Sequence, residues 1–106
     1  MRALYVSLDR TYDSVSATHD HSLGEWAISP SEAAQADLLV PVHDGHPIGI
    51  AWQIRGAIHG TRTTAEGEPT TIVVTMGHAL QTEGLVPDEL PALHHRVAVA
   101  ELVPAA

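Results

Sequence analysis

The chain is organised around residues 24–59, which read GEWAISPSEAAQADLLVPVHDGHPIGIAWQIRGAIH. Within this stretch, residues 29–32 (SPSE) have the pattern of a helix start. The first serine can accept hydrogen bonds from the free amides of the first turn, and proline suits the first helical position. Small residues favour continuation of this helix and close packing on a sheet, namely Ala33, Ala34 and Ala36. The sequence therefore predicts a short capped helix that begins at Ser29.

A strand and a tight turn follow this helix. Residues 38–42 place apolar side chains at alternate positions, which is typical of a short strand. Pro41 cannot donate a ladder hydrogen bond, so we expect this strand to lie at an edge or to face a bulge. Asp44-Gly45 predicts a hairpin turn, because glycine tolerates the positive φ that such a turn requires.

The next strand has two contrasting faces. Alternate residues form an apolar face that we expect in the core, namely Ile48, Ile50, Trp52, Ile54 and Ile58. The opposite face is small and polar with one guanidinium, and consists of Gly49, Ala51, Gln53, Arg55, Ala57 and His59. We expect ligand contacts on this second face. Gly56 interrupts the apolar face and predicts a bulge or the close approach of another backbone.

The composition predicts one globular domain over residues 1–106. The chain is 44% hydrophobic and 4% aromatic and has no cysteine. These values allow one aliphatic core and exclude disulfides, thiolate metal sites and cysteine nucleophiles. No apolar run approaches membrane-spanning length, and residues 1–10 are too short and too polar for a signal peptide. We therefore expect a cytoplasmic protein with no membrane partner.

The charge is strongly acidic but unevenly distributed. The formal net charge is -8, with 13 acidic residues against 5 basic ones, all of them arginine. Such a balance disfavours tight non-specific binding to nucleic acid, which depends on phosphate neutralisation. The interval between Asp44 and Glu66 has no acid, however, and contains Arg55 and Arg62. We interpret this interval as a neutral-to-basic region that an anionic group can approach.

The remaining segments predict three more strands and their connections. The strands are expected over residues 3–9, 70–80 and 96–103. The second of them is apolar on both faces and is therefore predicted to be central. We interpret residues 10–24 as a loop with at most a helical turn near residues 14–18, residues 60–69 as a mobile loop, and the stretch after Pro87 as a possible helical turn. About five strands and one main helix favour a mainly β (α+β) fold, a small mixed barrel.

The histidines do not form a convincing metal site. His19, His21 and Glu25 have the HxHxxxE spacing of metal ligands in cupins. They lie in a predicted polar loop, however, and the second cupin motif fails because Trp52 stands where a histidine is needed. A metal site requires several converging ligands with supporting hydrogen bonds. We predict no metal and no cofactor, and a cupin-type metal-dependent barrel stays an alternative.

Several motifs of the central stretch occur in an order that resembles one family. They are residues 22–29 (SLGEWAIS), 33–37 (AAQAD), 39–42 (LVPV), 44–45 (DG) and 49–51 (GIA). Over residues 22–59 the chain resembles the PUA-like superfamily, the small pseudo-barrels that include EVE, YTH and ASCH domains. The resemblance implies a single PUA-like barrel over residues 1–106, closed by a strand at residues 97–103. It also implies a concave pocket beside the helix that recognises nucleic acid, often through a flipped or modified base.

We therefore expect a binding module that recognises a nucleobase or a modified nucleic acid in a pocket beside the helix. The predicted ligand-binding residues are Tyr12, Trp26, Gln53, Arg55 and Arg62. Aromatic rings stack on bases, and a guanidinium makes bidentate contacts with phosphate or guanine. No catalytic residue is predicted, because GxSxG, GxGxxG and GxxxxGK motifs are absent. A small hydrolase of nucleoside-like molecules that uses His and Glu as acid and base is the other alternative.

Overall fold

Six strands and two short helices make up the computed structural model, which describes residues 1–84 and 90–102. The strands are β1 (Arg2–Ser7), β2 (Leu38–His43), β3 (His46–Pro47), β4 (Ile50–Thr63), β5 (Pro69–Gln81) and β6 (Val97–Glu101). The helices are α1 (Val15–Ser22) and α2 (Pro30–Ala33). The prediction of a mainly β fold is confirmed. The helical turn predicted after Pro87 lies outside the described residues, apart from its end beyond residue 89.

The strands form one open mixed sheet in the order β5-β4-β2-β1-β6, with β3 paired to β2. β1 and β2 are parallel, and all other strand pairs are antiparallel. β5 and β6 lie at opposite ends of this order, so the sheet is not closed into a barrel. The predicted barrel is therefore wrong. The strand count and the alternating patterns are compatible with either form, because closure depends on pairing between the two end strands.

The central strands are buried on both faces of the sheet. On the face covered by α2, the core contains Leu4, Val6, Trp26, Ala33, Leu39, Ile54 and Val73. On the other face, it contains Ala3, Tyr5, Leu38, Val40, Val42 and Ala51. This double burial explains why β1 and β2 read as nearly continuous apolar runs, which is typical of parallel strands. Burial also raises the pKa of Tyr5 above its ordinary value.

Helix α2 begins where the sequence predicts. The side-chain oxygen of Ser29 accepts a hydrogen bond from the backbone N–H of Glu32 at 3.2 Å, and Pro30 occupies the first helical position. Ala33 is completely buried against the sheet, as expected for a small residue on the inner side of a helix. The helix ends at Ala33 after one turn, so the predicted continuation through Ala34 and Ala36 is wrong, and residues 34–36 lead directly into β2.

Strand β2 lies inside the sheet, so of the two positions predicted for Pro41 the edge is wrong. The second alternative agrees with the structure, because the pairing of β2 changes register between Leu39 and Val42. Pro41 is tolerated because β4 pairs with β2 only through Leu38 and Leu39. Beyond them, the carbonyl of Pro41 accepts a hydrogen bond from the backbone N–H of Ile48 at 3.1 Å. The ring nitrogen points to the same side, past the end of the β4 ladder, and therefore interrupts no ladder bond.

The turn after β2 has the predicted form. Asp44 and Gly45 have φ values of 55° and 80°, and His43 pairs with His46 across them. Positive φ at both central residues is the geometry that matches the twist of the flanking strands.

A bulge in β4 reverses its two faces. The register with β5 shifts between Ile54 and Gly56, which confirms the prediction made from the glycine. A shift of one residue turns all following side chains to the other face of the sheet. Ala57 therefore packs against the core, whereas Ile58 is 54% exposed. The expectation that Ile58 belongs to the core is wrong for this reason.

Strand β5 lies at the edge of the sheet and not at its centre, which corrects the prediction. A segment before α2 covers part of this edge: Trp26 and Thr71 exchange two backbone hydrogen bonds of 3.0 Å, and the N–H of Val73 donates to the carbonyl of Leu23 at 2.7 Å. Val73 is buried in the core, whereas Ile72 and Val74 on the opposite face are half-buried. Long unprotected edges invite pairing with other chains, and this contact shortens the open part.

Two predicted loops are shorter than expected. Residues 10–24 contain the eight-residue helix α1, which is capped by the side chain of Ser14. Residues 60–69 extend β4 and begin β5, so that only residues 64–68 form the turn between them. Neither described helix is long and apolar enough to cross a membrane.

Candidate functional site: an acidic cleft beside helix α2

A cleft of about 770 Å³ opens on the α2 side of the sheet. Three separate segments line it, namely residues 27–32, the far end of the β4–β5 hairpin (residues 59–69) and residues 92–99. We call this feature the acidic cleft. Its volume lies in the range of small-molecule sites.

The titratable groups of the acidic cleft are carboxylates and imidazoles. The carboxylates belong to Glu32, Glu66 and Glu68, and the imidazoles to His59, His94 and His95. Apolar wall positions come from Ile28, Val97 and Val99. Among the described residues, no arginine lines the cleft. Its side chains can therefore accept hydrogen bonds and contact apolar surface, but they offer no fixed cation to a phosphate.

The turn between β4 and β5 holds two of the carboxylates. The N–H of Thr64 donates to the carbonyl of Glu68 at 2.7 Å, and the N–H of Gly67 donates back to the carbonyl of Thr64 at 2.9 Å. The hydroxyl of Thr64 also accepts from the N–H of Glu68 at 3.2 Å. Glu66 and Glu68 thus project from a closed, hydrogen-bonded turn.

Glu25 fixes the hairpin on which this turn sits. Its carboxylate accepts hydrogen bonds from the backbone N–H groups of Thr61 and Arg62, the latter at 3.0 Å, and it pairs with the guanidinium of Arg62 at 3.3 Å. Gly60 lies against the same carboxylate, where a Cβ atom would collide with it. Burial by itself raises the pKa of Glu25, but these hydrogen bonds outweigh it and lower the pKa below its ordinary value.

A second tight turn places the histidine pair. His94 and Val97 exchange backbone hydrogen bonds of 2.9 and 3.2 Å around a two-residue turn. The imidazole rings of His94 and His95 lie 4.3 Å apart in an edge-to-face arrangement. Arg96 ties the turn to the end of β1, since its guanidinium donates to the carbonyl of Ser7 at 2.6 Å and pairs with Asp9 at 2.6 Å.

The two predicted aromatic residues lie elsewhere. Trp26 is only 7% exposed, belongs to the core, and donates from its indole nitrogen to the carbonyl of Ser22 at 2.8 Å. Tyr12 is half-buried beside α1 and stacks on His21 with 4.1 Å between ring centroids. Neither ring lines the acidic cleft. The structure therefore does not bring these two rings together on a ligand surface.

The three predicted polar residues are also outside the cleft. Gln53 and Arg55 are exposed on β4. Arg62 is paired with Glu25, an acid from a distant part of the sequence. The interval that the sequence shows as free of acids thus receives a carboxylate through folding, and the charge of Arg62 is partly neutralised there.

The residues of the cupin-like spacing have three different partners. His19 hydrogen-bonds to the hydroxyl of Thr75 at 2.7 Å, His21 stacks on Tyr12, and Glu25 holds the β4–β5 hairpin. Within the part of the chain that the structure describes, no group of three or more His, Asp or Glu side chains is arranged to hold a metal ion.

Most residues of the acidic cleft have only weak signals in the sequence. His59 belongs to the face of β4 on which the sequence predicts ligand contacts. The carboxylates and imidazoles of Glu66, Glu68, His94 and His95 lie in or beside turns, and Glu32 lies in the first turn of α2, where charged residues are ordinarily solvated. The adjacent histidines are a weak signal, because neighbouring residues point in different directions in an extended chain. Only the folded sheet brings together the three segments that line the cleft, namely residues 27–32, 59–69 and 92–99.

Comparison of the chain with models of protein families, with curated proteins and with solved structures finds no significant match.

Proposed function

We propose that this protein is a binding module for a nucleobase or a nucleoside-like molecule, and that the acidic cleft beside α2 holds this ligand. The observation that carries the proposal is the composition of the cleft, which is lined by three carboxylates, three imidazoles and apolar side chains. A pocket beside the helix is also what the PUA-like resemblance implies.

The hydrogen-bonding capacity of the cleft suits bases that carry amino groups. Ionised carboxylates are acceptors only, and they pair well with the exocyclic amino group of cytosine. Adenine and guanine present comparable amino donors. The walls formed by Ile28, Val97 and Val99 offer apolar contact to a flat ring. The expected ligands are therefore adenine-, cytosine- or guanine-type bases in preference to uracil.

The charge of the cleft favours a ligand without phosphate. Glu32, Glu66 and Glu68 line it, and the whole chain has a formal net charge of -8. A phosphate would meet like charges there and would find no arginine among the lining residues that the structure describes. A modified base within a nucleic acid is a possible ligand only if its backbone stays outside the cleft.

The test is an NMR titration of the ¹⁵N-labelled protein with adenosine, cytidine, guanosine and uridine, and then with the 5′-monophosphates. We expect the amino-bearing nucleosides to shift the amide signals of Ile28, His59 and Val97. Uridine should bind several-fold more weakly, because each lost hydrogen bond is worth about 0.5–1.5 kcal/mol. The monophosphates should bind more weakly than their nucleosides at low salt.

Substitution of the carboxylates supplies the matched comparison. Glu66→Gln and Glu68→Gln should weaken nucleoside binding and reduce the penalty for monophosphates, since the negative charge is removed. Glu83→Gln is the control, because Glu83 is exposed and lies outside the lining. If no nucleoside shifts the signals of the lining residues, the proposal fails. If single-stranded oligonucleotides bind with a steep salt dependence instead, recognition lies on another surface.

A small hydrolase is the second candidate, because the cleft brings imidazoles and carboxylates to one place. Such groups can transfer protons to and from a reacting ligand. Incubation of each nucleoside with the protein, followed by chromatography of the free base, distinguishes the two functions. Turnover that is lost in His59→Ala would favour the hydrolase, and binding without turnover favours the module.

A further inference from the structure

The turn at the rim of the acidic cleft has an unusual composition. His95 and Arg96 are its two central residues, with φ values of 51° and 71°. This left-handed conformation brings Cβ close to the following carbonyl oxygen, so glycine, asparagine and aspartate are the preferred residues. The two-residue turn between β2 and β3 follows this rule, since it consists of Asp44 and Gly45.

The contacts of Arg96 account for its presence in the turn. Its guanidinium bonds to Ser7 and pairs with Asp9, and it lies 5.9 Å from the ring centre of Trp26. It therefore joins the start of β6 to the end of β1. His95 is different, because what the structure shows for it is the ring contact with His94 and a position in the lining of the cleft.

We propose that His95 is a ligand-stacking residue, retained at a backbone position where glycine would be more stable. Residues in sparsely populated backbone conformations cluster at binding sites, where the surrounding structure maintains them. Imidazole is one of the rings on which unstacked bases pack. The aromatic surface that the sequence assigned to Trp26 is thus supplied by the ring of His95. This inference rests on the proposed function. In it, His95 contacts the face of the base, whereas the carboxylates accept hydrogen bonds from its edge.

The experiment compares His95→Gly, His95→Asn and the parent by thermal melts and by titration with adenosine and cytidine. His95→Gly should raise Tm by roughly 2–4 °C, because relief of the left-handed conformation exceeds the added freedom of the unfolded chain. His95→Asn should leave Tm unchanged or higher, since asparagine tolerates this conformation. Both variants should bind the nucleosides about tenfold more weakly, because the stacking ring is lost.

Asp44→Gly is the matched control. It places glycine in the equivalent turn away from the cleft, and it should leave nucleoside binding unchanged. If His95→Gly binds both nucleosides as tightly as the parent, His95 does not stack on the ligand, although the proposed function stands. A lower Tm in His95→Gly would overturn the argument from backbone strain. If the parent binds neither nucleoside, the proposed function and this inference both fall.

Discussion

Replacement of Trp26 by alanine separates a structural role from a ligand-binding role. The sequence predicts that this ring stacks on a ligand, so that its loss weakens binding without affecting the fold. The structure shows the ring 7% exposed in the core, with its indole nitrogen bonded to the carbonyl of Ser22. We therefore expect Trp26→Ala to act on stability.

The magnitude follows from the burial. An aromatic side chain of this kind removes about 150–250 Å² from water, which at about 25 cal/mol per Å² gives roughly 4–6 kcal/mol as an upper estimate. Measured Trp→Ala and Phe→Ala substitutions in cores cost about 3–5 kcal/mol. Single domains are stable by only about 5–15 kcal/mol, so the loss is a large fraction of the total.

The assay is urea denaturation followed by circular dichroism, with Trp26→Phe as the second variant. The phenylalanine variant should lose less, because most of the apolar contact is kept while the hydrogen bond to Ser22 is removed. A free energy of unfolding for Trp26→Ala within 1 kcal/mol of the parent would refute the reasoning, and the stacking role would then have to be reconsidered.

Three further predictions concern the cap, the hairpin carboxylate and the cupin-like spacing. Ser29→Ala should lower the free energy of unfolding by about 1 kcal/mol, since the N-cap bond is lost, and a melt that matches the parent would contradict this. The folded state lowers the pKa of Glu25, so its stabilisation is fully present above the ordinary carboxyl pKa and is lost as pH falls through the lowered value. Urea denaturation between about pH 6 and 3, the range in which carboxyl groups titrate, should show this loss in the parent and a smaller one in Glu25→Gln. Elemental analysis of untagged protein should find no stoichiometric metal, and about one metal per chain that is lost in His21→Ala would instead favour the cupin-type alternative.

The elements set by short-range chemistry could be predicted from the sequence. The cap at Ser29, the Asp44-Gly45 turn and the bulge near Gly56 each depend on a few neighbouring residues and on the backbone conformations that these residues permit. The residues that favour each of these features lie within a few positions of it in the sequence. For this reason the structure places all three where the sequence predicts them.

Long-range pairing decided what the sequence alone did not. Whether a strand is central or at an edge depends on which strands lie beside it, so Pro41 proved compatible with an interior strand and β5 was found at the edge. The exposure of Ile58 follows from the register shift between β4 and β5, which turns the side chains after Gly56 to the other face of the sheet. This shift is visible only when β4 is compared with its partner strand β5.

The sequence by itself determined a mainly β chain with one capped helix, because hydrophobic periodicity and capping act locally. The open sheet and the acidic cleft were decided only by the tertiary structure. The cleft is assembled from residues 27–32, 59–69 and 92–99, which no spacing rule connects. The pairing of β1 with β2 and β6, together with the pairing of β4 with β2 and β5, positions these segments so that their carboxylates and imidazoles line one cavity.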